Sequence, residues 1–442
     1  MRPAIRWIVA GAFLLAAAAG CSKIDPITAP PVNSASADFT RYVALGTSLA
    51  AGECSGATVE RHQQFSYPAQ FAGQIGLTLT RQSYSGDGLS SDGTHGILHI
   101  NSLQPLQLVP GPAGTPLNTS YPNDFENLGV PGAIVTDVID STNYYSSGRA
   151  HFQFIVRHRG LIAQQVGRLQ PTFISFEYGA NEILYGATQG SATPLIPSGV
   201  WTGYLSTALD VIQLAAPNAK LAIINVPDPT LIPFSTTFPP LTRNDAGAVV
   251  PLIGPGGTPL TPDARVLLTA AQALAAGDGF PTDAHSYVSG VQGTGNPLPD
   301  AVVLTSSEVA SLEATVGEYN AAIAAEAANR GAALVDFHAL LDDMAAHGID
   351  YNGVHYSTAY ITGGLFGLDG VHPSDLGYSL IANTMIDAVN AKFGSNVTRV
   401  DLARTSGHRF DRMSPAHVSG YPLIEDAQAY FSRMFGAPMP LP

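Results

Sequence analysis

The chain has 442 residues, 45% of them apolar and only 12% charged, with 45 glycines and 33 prolines. That is enough for one large domain or two ordinary ones with a substantial core and many ordered loops, and it excludes a coiled, all-helical or low-complexity protein. A balance of 20 Lys+Arg against 34 Asp+Glu leaves a net charge of −14, so the surface repels phosphate backbones and no nucleic-acid partner is expected.

Residues 1–20 read as a signal segment. Arg2 and Arg6 supply positive charge, and Trp7 to Ala19 is an apolar run too short to span a bilayer comfortably. The run ends in Ala18-Ala19-Gly20-Cys21, which resembles the lipobox of bacterial lipoproteins, with Ala18 in place of the usual Leu. The resemblance implies a diacylated Cys21 as the mature N-terminus and a membrane contact through that lipid. The alternative is an ordinary secretory signal with an incidental cysteine. Ser22, rather than Asp, follows the cysteine, which under enterobacterial sorting rules points to the outer membrane with its face left open. The rest of 21–40, rich in Pro, Ser and Ala, reads as a flexible tether. Cys54 is then left without a disulfide partner and reads as a small packed residue.

Arg41 to Leu45 is a short apolar run ending at Gly46, the pattern of a buried strand feeding a tight turn. Ser66-Tyr67-Pro68 opens a helix expected to run to about Gly76. Residues from about 83 to 125 are rich in Gly and Pro without a sustained period and read as a long loop insertion. Asn127 to Gly132 marks a second strand-end turn. His151 to Leu169 has apolar residues at helical spacing, with Pro171 beyond its end. Thr172 to Tyr178 reads as a strand, Trp201 to Leu214 as an amphipathic helix and Lys220 to Val226 as another strand. Residues 227–303 form a second insertion with one predicted helix, Pro262 to Ala276, placed as a lid or substrate wall over the sheet's carboxyl edge. A helix from about Ser307 to Arg330, a strand at Ala333 to Phe337 and a helix from about Ser374 to Phe393 follow. Residues 396–442 read as a tail. Apolar strands alternating with amphipathic helices predict an α/β fold with a parallel sheet covered on both faces.

Four short motifs fall at predicted strand ends: Gly46-Thr47-Ser48-Leu49, Asn127-Leu128-Gly129-Val130-Pro131-Gly132, Gly179-Ala180-Asn181-Glu182 and Asp369-Gly370-Val371-His372-Pro373. Ligands of such sheets bind outside the carboxyl ends of the strands, so the four can converge on one cleft. A serine hydroxyl needs an adjacent base to act as nucleophile. His372 is the natural base for Ser48, and Asp369, three residues earlier, can fix its tautomer and stabilise the imidazolium. The Ser48 and Gly132 backbone N–H groups and the Asn181 amide are candidate donors to a tetrahedral oxyanion. Glu53, close to Ser48 in sequence, reads as a solvated turn acid. His95 and His99 read as surface or packing residues, and no metal site is expected.

With these four blocks in order, the chain resembles the SGNH, or GDSL, hydrolase superfamily over roughly residues 41–395, with the closest match at 367–378. Carried over by motif, the resemblance implies that Ser48 is the nucleophile, Asp369 and His372 complete a triad, and Ser48, Gly132 and Asn181 form the oxyanion hole. It also implies a three-layer α/β/α flavodoxin-like, doubly wound sheet with large loop insertions, and ester hydrolysis through an acyl-enzyme without metal or cofactor. Thr47 and Glu182 stand where the family usually has Asp. The apolar composition favours an esterase or lipase acting on a lipidic or otherwise acylated small molecule. A polysaccharide O-acetyl esterase, acting on an acetylated glycan, and a catalytically silent envelope-binding lipoprotein are the alternatives.

Overall fold

The computed structural model describes residues 32–103, 106–146, 148–406 and 423–424. Cys21 and most of the expected tail lie outside them. Five short strands form the central sheet: β1 (Tyr42–Gly46), β2 (Asn127–Gly129), β3 (Phe173–Glu177), β4 (Lys220–Ile224) and β5 (Ala333–Val335). Their spatial order is β2-β1-β3-β4-β5, and every neighbouring pair is parallel. This is the flavodoxin-like doubly wound order, in which the chain reverses direction across the sheet between β1 and β3. Both strands flanking that reversal are buried along their whole length, which is why they read as unbroken apolar runs rather than alternating ones.

Helices cover both faces. Tyr67–Gln74 packs on the long helix Asp375–Phe393, while Ser198–Ala215 packs on Ile162–Leu169 and on Ser306–Asn329. The indole of Trp201 stacks on Tyr319 at 3.9 Å between ring centroids, joining two helices of the second layer. Under the other face Phe39, Tyr42, Phe71 and Phe173 cluster, with Phe39–Phe71, Phe39–Phe173 and Tyr42–Phe71 edge to face and Phe71–Phe173 stacked, and such pairs contribute about 0.5–1.5 kcal/mol each beyond their buried area. Phe39 belongs to the stretch expected to be a tether. It is buried, and Ser36 donates from both its N–H and its hydroxyl to the carbonyl of Phe393, so packing begins before residue 40.

Packing also continues past residue 395. Asn383 and Asn390 each accept from one and donate to one backbone group of Val400 and Val397 respectively, tying 396–406 to the last long helix. The expected loop 83–125 contains a hairpin, His95–Leu103 paired antiparallel with Leu106–Pro112, and Leu423–Ile424 adds to the latter strand. The single helix expected over His151 to Leu169 is two, Ala150–Ile155 and Ile162–Leu169. Arg157 and His158 between them take positive φ, which no α-helix allows. The helix expected at Pro262 to Ala276 shrinks to Ala271–Ala276, because Arg265–Val266 pairs instead with Val303–Leu304.

Candidate active site

Ser48 stands two residues beyond the end of β1, at the start of a four-residue helix, Ser48–Ala51, which leaves its N–H among those without an intrahelical acceptor. The turn is tight. A Cβ at Gly46 would lie 2.7 Å from a Glu177 carboxylate oxygen and 2.9 Å from the Ala50 Cβ, so only glycine fits. Thr47 caps the short helix and is itself held from below. Its N–H donates to Glu177 Oε2 at 3.0 Å, and its hydroxyl donates to both Glu177 oxygens at 3.1 and 3.0 Å. Burial pushes the Glu177 carboxyl up to about 8, against the opposing pull of these Thr47 bonds. An aspartate at 47 would face this buried acid as a second carboxylate. Threonine gives it a donor instead.

His372 places Nε2 2.9 Å from Ser48 Oγ and Nδ1 2.9 Å from Asp369 Oδ2. Asp369 is fully buried and saturated with donors. Oδ1 accepts the N–H groups of Val371 and His372 at 2.8 Å each, and Oδ2 accepts Gly56 N–H at 2.5 Å as well as the imidazole. The loop that carries the pair is braced from the second insertion, where Phe234 N–H donates to Gly370 O at 2.8 Å. Burial lowers the proton affinity of His372, but Glu53, Asp369 and Glu177 together outweigh it and lift the imidazole to about 9.

Asn181, beyond β3, lines the same cleft as Ser48, and Gly132 lies three residues beyond the end of β2. Gly132 adopts φ +76°, and nothing stands within 4 Å of where a Cβ would be, so the backbone there borders open space. The Asn181 amide nitrogen donates one bond to Ala133 O at 2.7 Å, which fixes its orientation beside Gly132 and leaves its second N–H for a ligand. Glu182, the other departure from the family pattern, accepts Val135 N–H at 2.8 Å and Trp201 Nε1–H at 3.0 Å. Its longer side chain thus ties the Gly132 loop to the second helical layer.

The serine opens into a narrow cleft with about 50 Å³ of open space, bounded by Thr47, Asn181 and His372 on its polar side and by Leu184, Ile232, Phe337, Leu341, Phe366 and Val371 on its apolar side. Ile232 comes from the second insertion, which supplies one wall. Sequence reasoning missed Glu177 and misplaced Glu53, which is fully buried rather than solvated. Glu177 is held by Thr47, 130 positions away, and the Glu53 hairpin is fastened to Leu368, Asp369 and Tyr378, more than 300 positions away, and no local pattern signals either. Cys54 is buried and forms no disulfide among the described residues. His99 pairs with Asp87 at 2.9 Å, and among the described residues no cluster of metal-ligating side chains occurs.

The model of the GDSL-like lipase/acylhydrolase family matches residues 42–385, which span all four motifs. A search of curated proteins returns no match. Similar solved structures include a putative GDSL-like lipase from Parabacteroides merdae ATCC 43184 (12% identity, 82% of this chain and 99% of that one, TM-score 0.34). Others are an extracellular lipase from Streptomyces rimosus (14%, 79% and 98%, TM-score 0.34) and phospholipase A1 from Streptomyces albidoflavus (13%, 79% and 98%, TM-score 0.33). With 42–385 matched, the chain belongs to the GDSL-like lipase/acylhydrolase family and is a carboxylic ester hydrolase.

Proposed function

We propose that the chain hydrolyses esters with short to medium apolar acyl groups, using Ser48 as nucleophile, His372 as general base and Asp369 as its orienting acid. Ser48 Oγ bonds to the ester carbonyl carbon while its proton passes to His372 Nε2. The carbonyl electron pair moves onto oxygen, where the Ser48 and Gly132 N–H groups and the Asn181 amide receive it. The imidazolium returns the proton to the departing alcohol, and water, deprotonated in turn by His372, releases the acid from Ser48. The observation that carries this reading is the pair of 2.9 Å contacts, Ser48–His372 and His372–Asp369, at the end of an apolar cleft.

The cleft's apolar lining favours an acyl chain, and its small volume limits the length. Two added methylenes are worth about 0.8 kcal/mol each when buried, or about tenfold in kcat/KM. Turnover of p-nitrophenyl butyrate is therefore expected to exceed that of the acetate by up to about tenfold, with no further gain at decanoate. An optimum at acetate, together with acetate release from acetylated xylan, would replace this reading with the polysaccharide O-acetyl esterase.

We further propose that the mature chain is anchored in the bacterial envelope, at the outer membrane, through lipid on Cys21. Support comes from the Ala18-Ala19-Gly20-Cys21 run and from Ser22 after it. No helix among the described residues is long and apolar enough to cross a membrane. Expressed in a bacterial host, the wild type is expected in the membrane fraction and Cys21→Ser in the soluble one; a membrane-bound Cys21→Ser protein would refute the anchor.

A further inference from the structure

Glu53 follows Gly52 at the end of the Ser48 helix and begins a small hairpin, Glu53–Cys54 paired with Ala57–Thr58. The hairpin is fastened to the loop that carries Asp369 and His372. Gly56 N–H donates to Asp369, Leu368 N–H donates to Ser55 Oγ at 3.0 Å, and Tyr378 OH donates to the carbonyl of Glu53 itself at 2.6 Å. The same contacts that fix the triad loop therefore fix Glu53. Its side chain is 0% exposed, yet neither carboxylate oxygen has a hydrogen-bond partner among the described residues. A carboxylate so placed is costly unless a charge compensates it.

The groups that act on Glu53 come from three directions. His372 and Asp369 face it from the triad loop, one attractive and one repulsive. Asp92 and the Ser91 hydroxyl act on it from the segment before the first hairpin. Tyr84 lies in the same segment, and Tyr378 on the last long helix. His372 is the only cation among them. Burial pushes the Glu53 carboxyl up to about 7, and of the charges that raise His372, that of Glu53 is the largest.

We propose that Glu53 is a positioning residue of this active site, a second buried acid that acts through His372 and sets the pH at which the imidazole becomes available as a base. The inference rests on the hydrolase reading above. Glu53 makes and breaks no bond to substrate. When Nε2 takes the Ser48 proton, the imidazolium is held by Asp369 at Nδ1 and is further stabilised by the charge of Glu53. A neutral Glu53 at rest leaves His372 easier to deprotonate, and an ionised one favours the imidazolium.

The test is the pH dependence of Ser48 labelling by a fluorophosphonate, a reaction that needs His372 as base but not the natural substrate. Glu53→Gln is expected to shift the acid limb of the labelling rate to lower pH by about one unit or more. Glu53→Asp, which restores the charge, is expected to bring it back toward the wild-type position. A purely structural role would change the plateau rate or the melting temperature and leave the limb where it was; coincident limbs in wild type and Glu53→Gln overturn the proposal. Failure of the wild type to label at Ser48 would instead count against the hydrolase reading. NMR titration of the His372 ring then tests Glu53 separately, with equal midpoints in wild type and Glu53→Gln as the refuting result. Should Glu53→Gln not fold, the wild-type ring titration decides. Two inflections, one following the 13C-labelled Glu53 carboxyl, support the coupling, and a single inflection overturns it.

Discussion

Ser48→Ala is expected to lower kcat/KM for p-nitrophenyl butyrate by about 10⁴ or more and to abolish fluorophosphonate labelling, while leaving the melting temperature close to that of the wild type. The size of the loss follows from the role. Without Oγ there is no acyl-enzyme, and only the oxyanion donors and the binding cleft remain to act on a water attack. The small effect on stability follows from the contacts. Among the described residues Oγ bonds to His372 alone, at 2.9 Å, and the short helix is capped by Thr47, not by Ser48. Alanine suits that helix, and the Thr47–Glu177 bonds that shape the turn stay in place. Activity and circular dichroism measured on one preparation check both halves. A variant that keeps more than a few per cent of wild-type turnover would exclude Ser48 as the nucleophile, and a variant that unfolds would mean the turn is less self-supporting than its contacts indicate.

The placement of Ser48 was legible because it depends on local rules that a sequence obeys visibly. An apolar run ends at a glycine, the serine follows, and the run must be a strand buried on both faces. The same holds for Asn181 beyond β3 and for the Asp369–His372 loop ahead of a well-capped helix, where Ser374 accepts Gly377 N–H. The elements that were misread depend on distant partners. The His95–Leu103 hairpin forms from a stretch whose Gly111 and Pro112 read as breakers, because its pairing and its contact with the Glu53 hairpin supply the order that local propensity lacks. The break at Arg157 and His158 is invisible to apolar periodicity, which continues across it. The guanidinium of Arg157 reaches the carbonyls of Tyr121 and Asn123, contacts that favour the kink. The buried acids were the hardest to see. Glu53 reads as a solvated turn acid, Glu177 is not singled out within its strand, and Glu182 stands out only as a departure from the family pattern, yet all three are buried in the fold. Thr47 and Glu182 are departures from the family pattern that become intelligible only with these partners: one donates to Glu177, the other reaches Val135 and Trp201.

Asp369→Asn is the second substitution expected to have a large effect, and it separates orientation from charge. The carboxylate accepts from four N–H groups, three of them backbone: Gly56, Val371 and His372. An asparagine amide presents one oxygen and one NH₂, so whichever way it turns, at least one donor faces another donor. If the NH₂ turns toward Nδ1, it donates to the imidazole and forces the proton onto Nε2, where it blocks acceptance from Ser48. A loss of about 10³–10⁴ in kcat is expected, with KM little changed, because the cleft that binds the acyl group is untouched. The pH profile adds a sign. In the wild type His372 is lifted to about 9, so kcat/KM should rise with pH through neutrality and level off near that value as the imidazole loses its proton. Removing the Asp369 charge takes away one of the charges that raise His372, so the residual activity should reach its plateau at lower pH than the wild type. Steady-state kinetics across that range check both features. A variant within tenfold of wild-type kcat would place the orienting role elsewhere, and an unmoved limb would mean that the Asp369 charge is not felt at the imidazole. Because Glu53 and Asp369 act on the same ring, their effects on the limb should not add: with Glu53 already neutralised as glutamine, Asp369→Asn should shift it by a different amount than in the wild-type background.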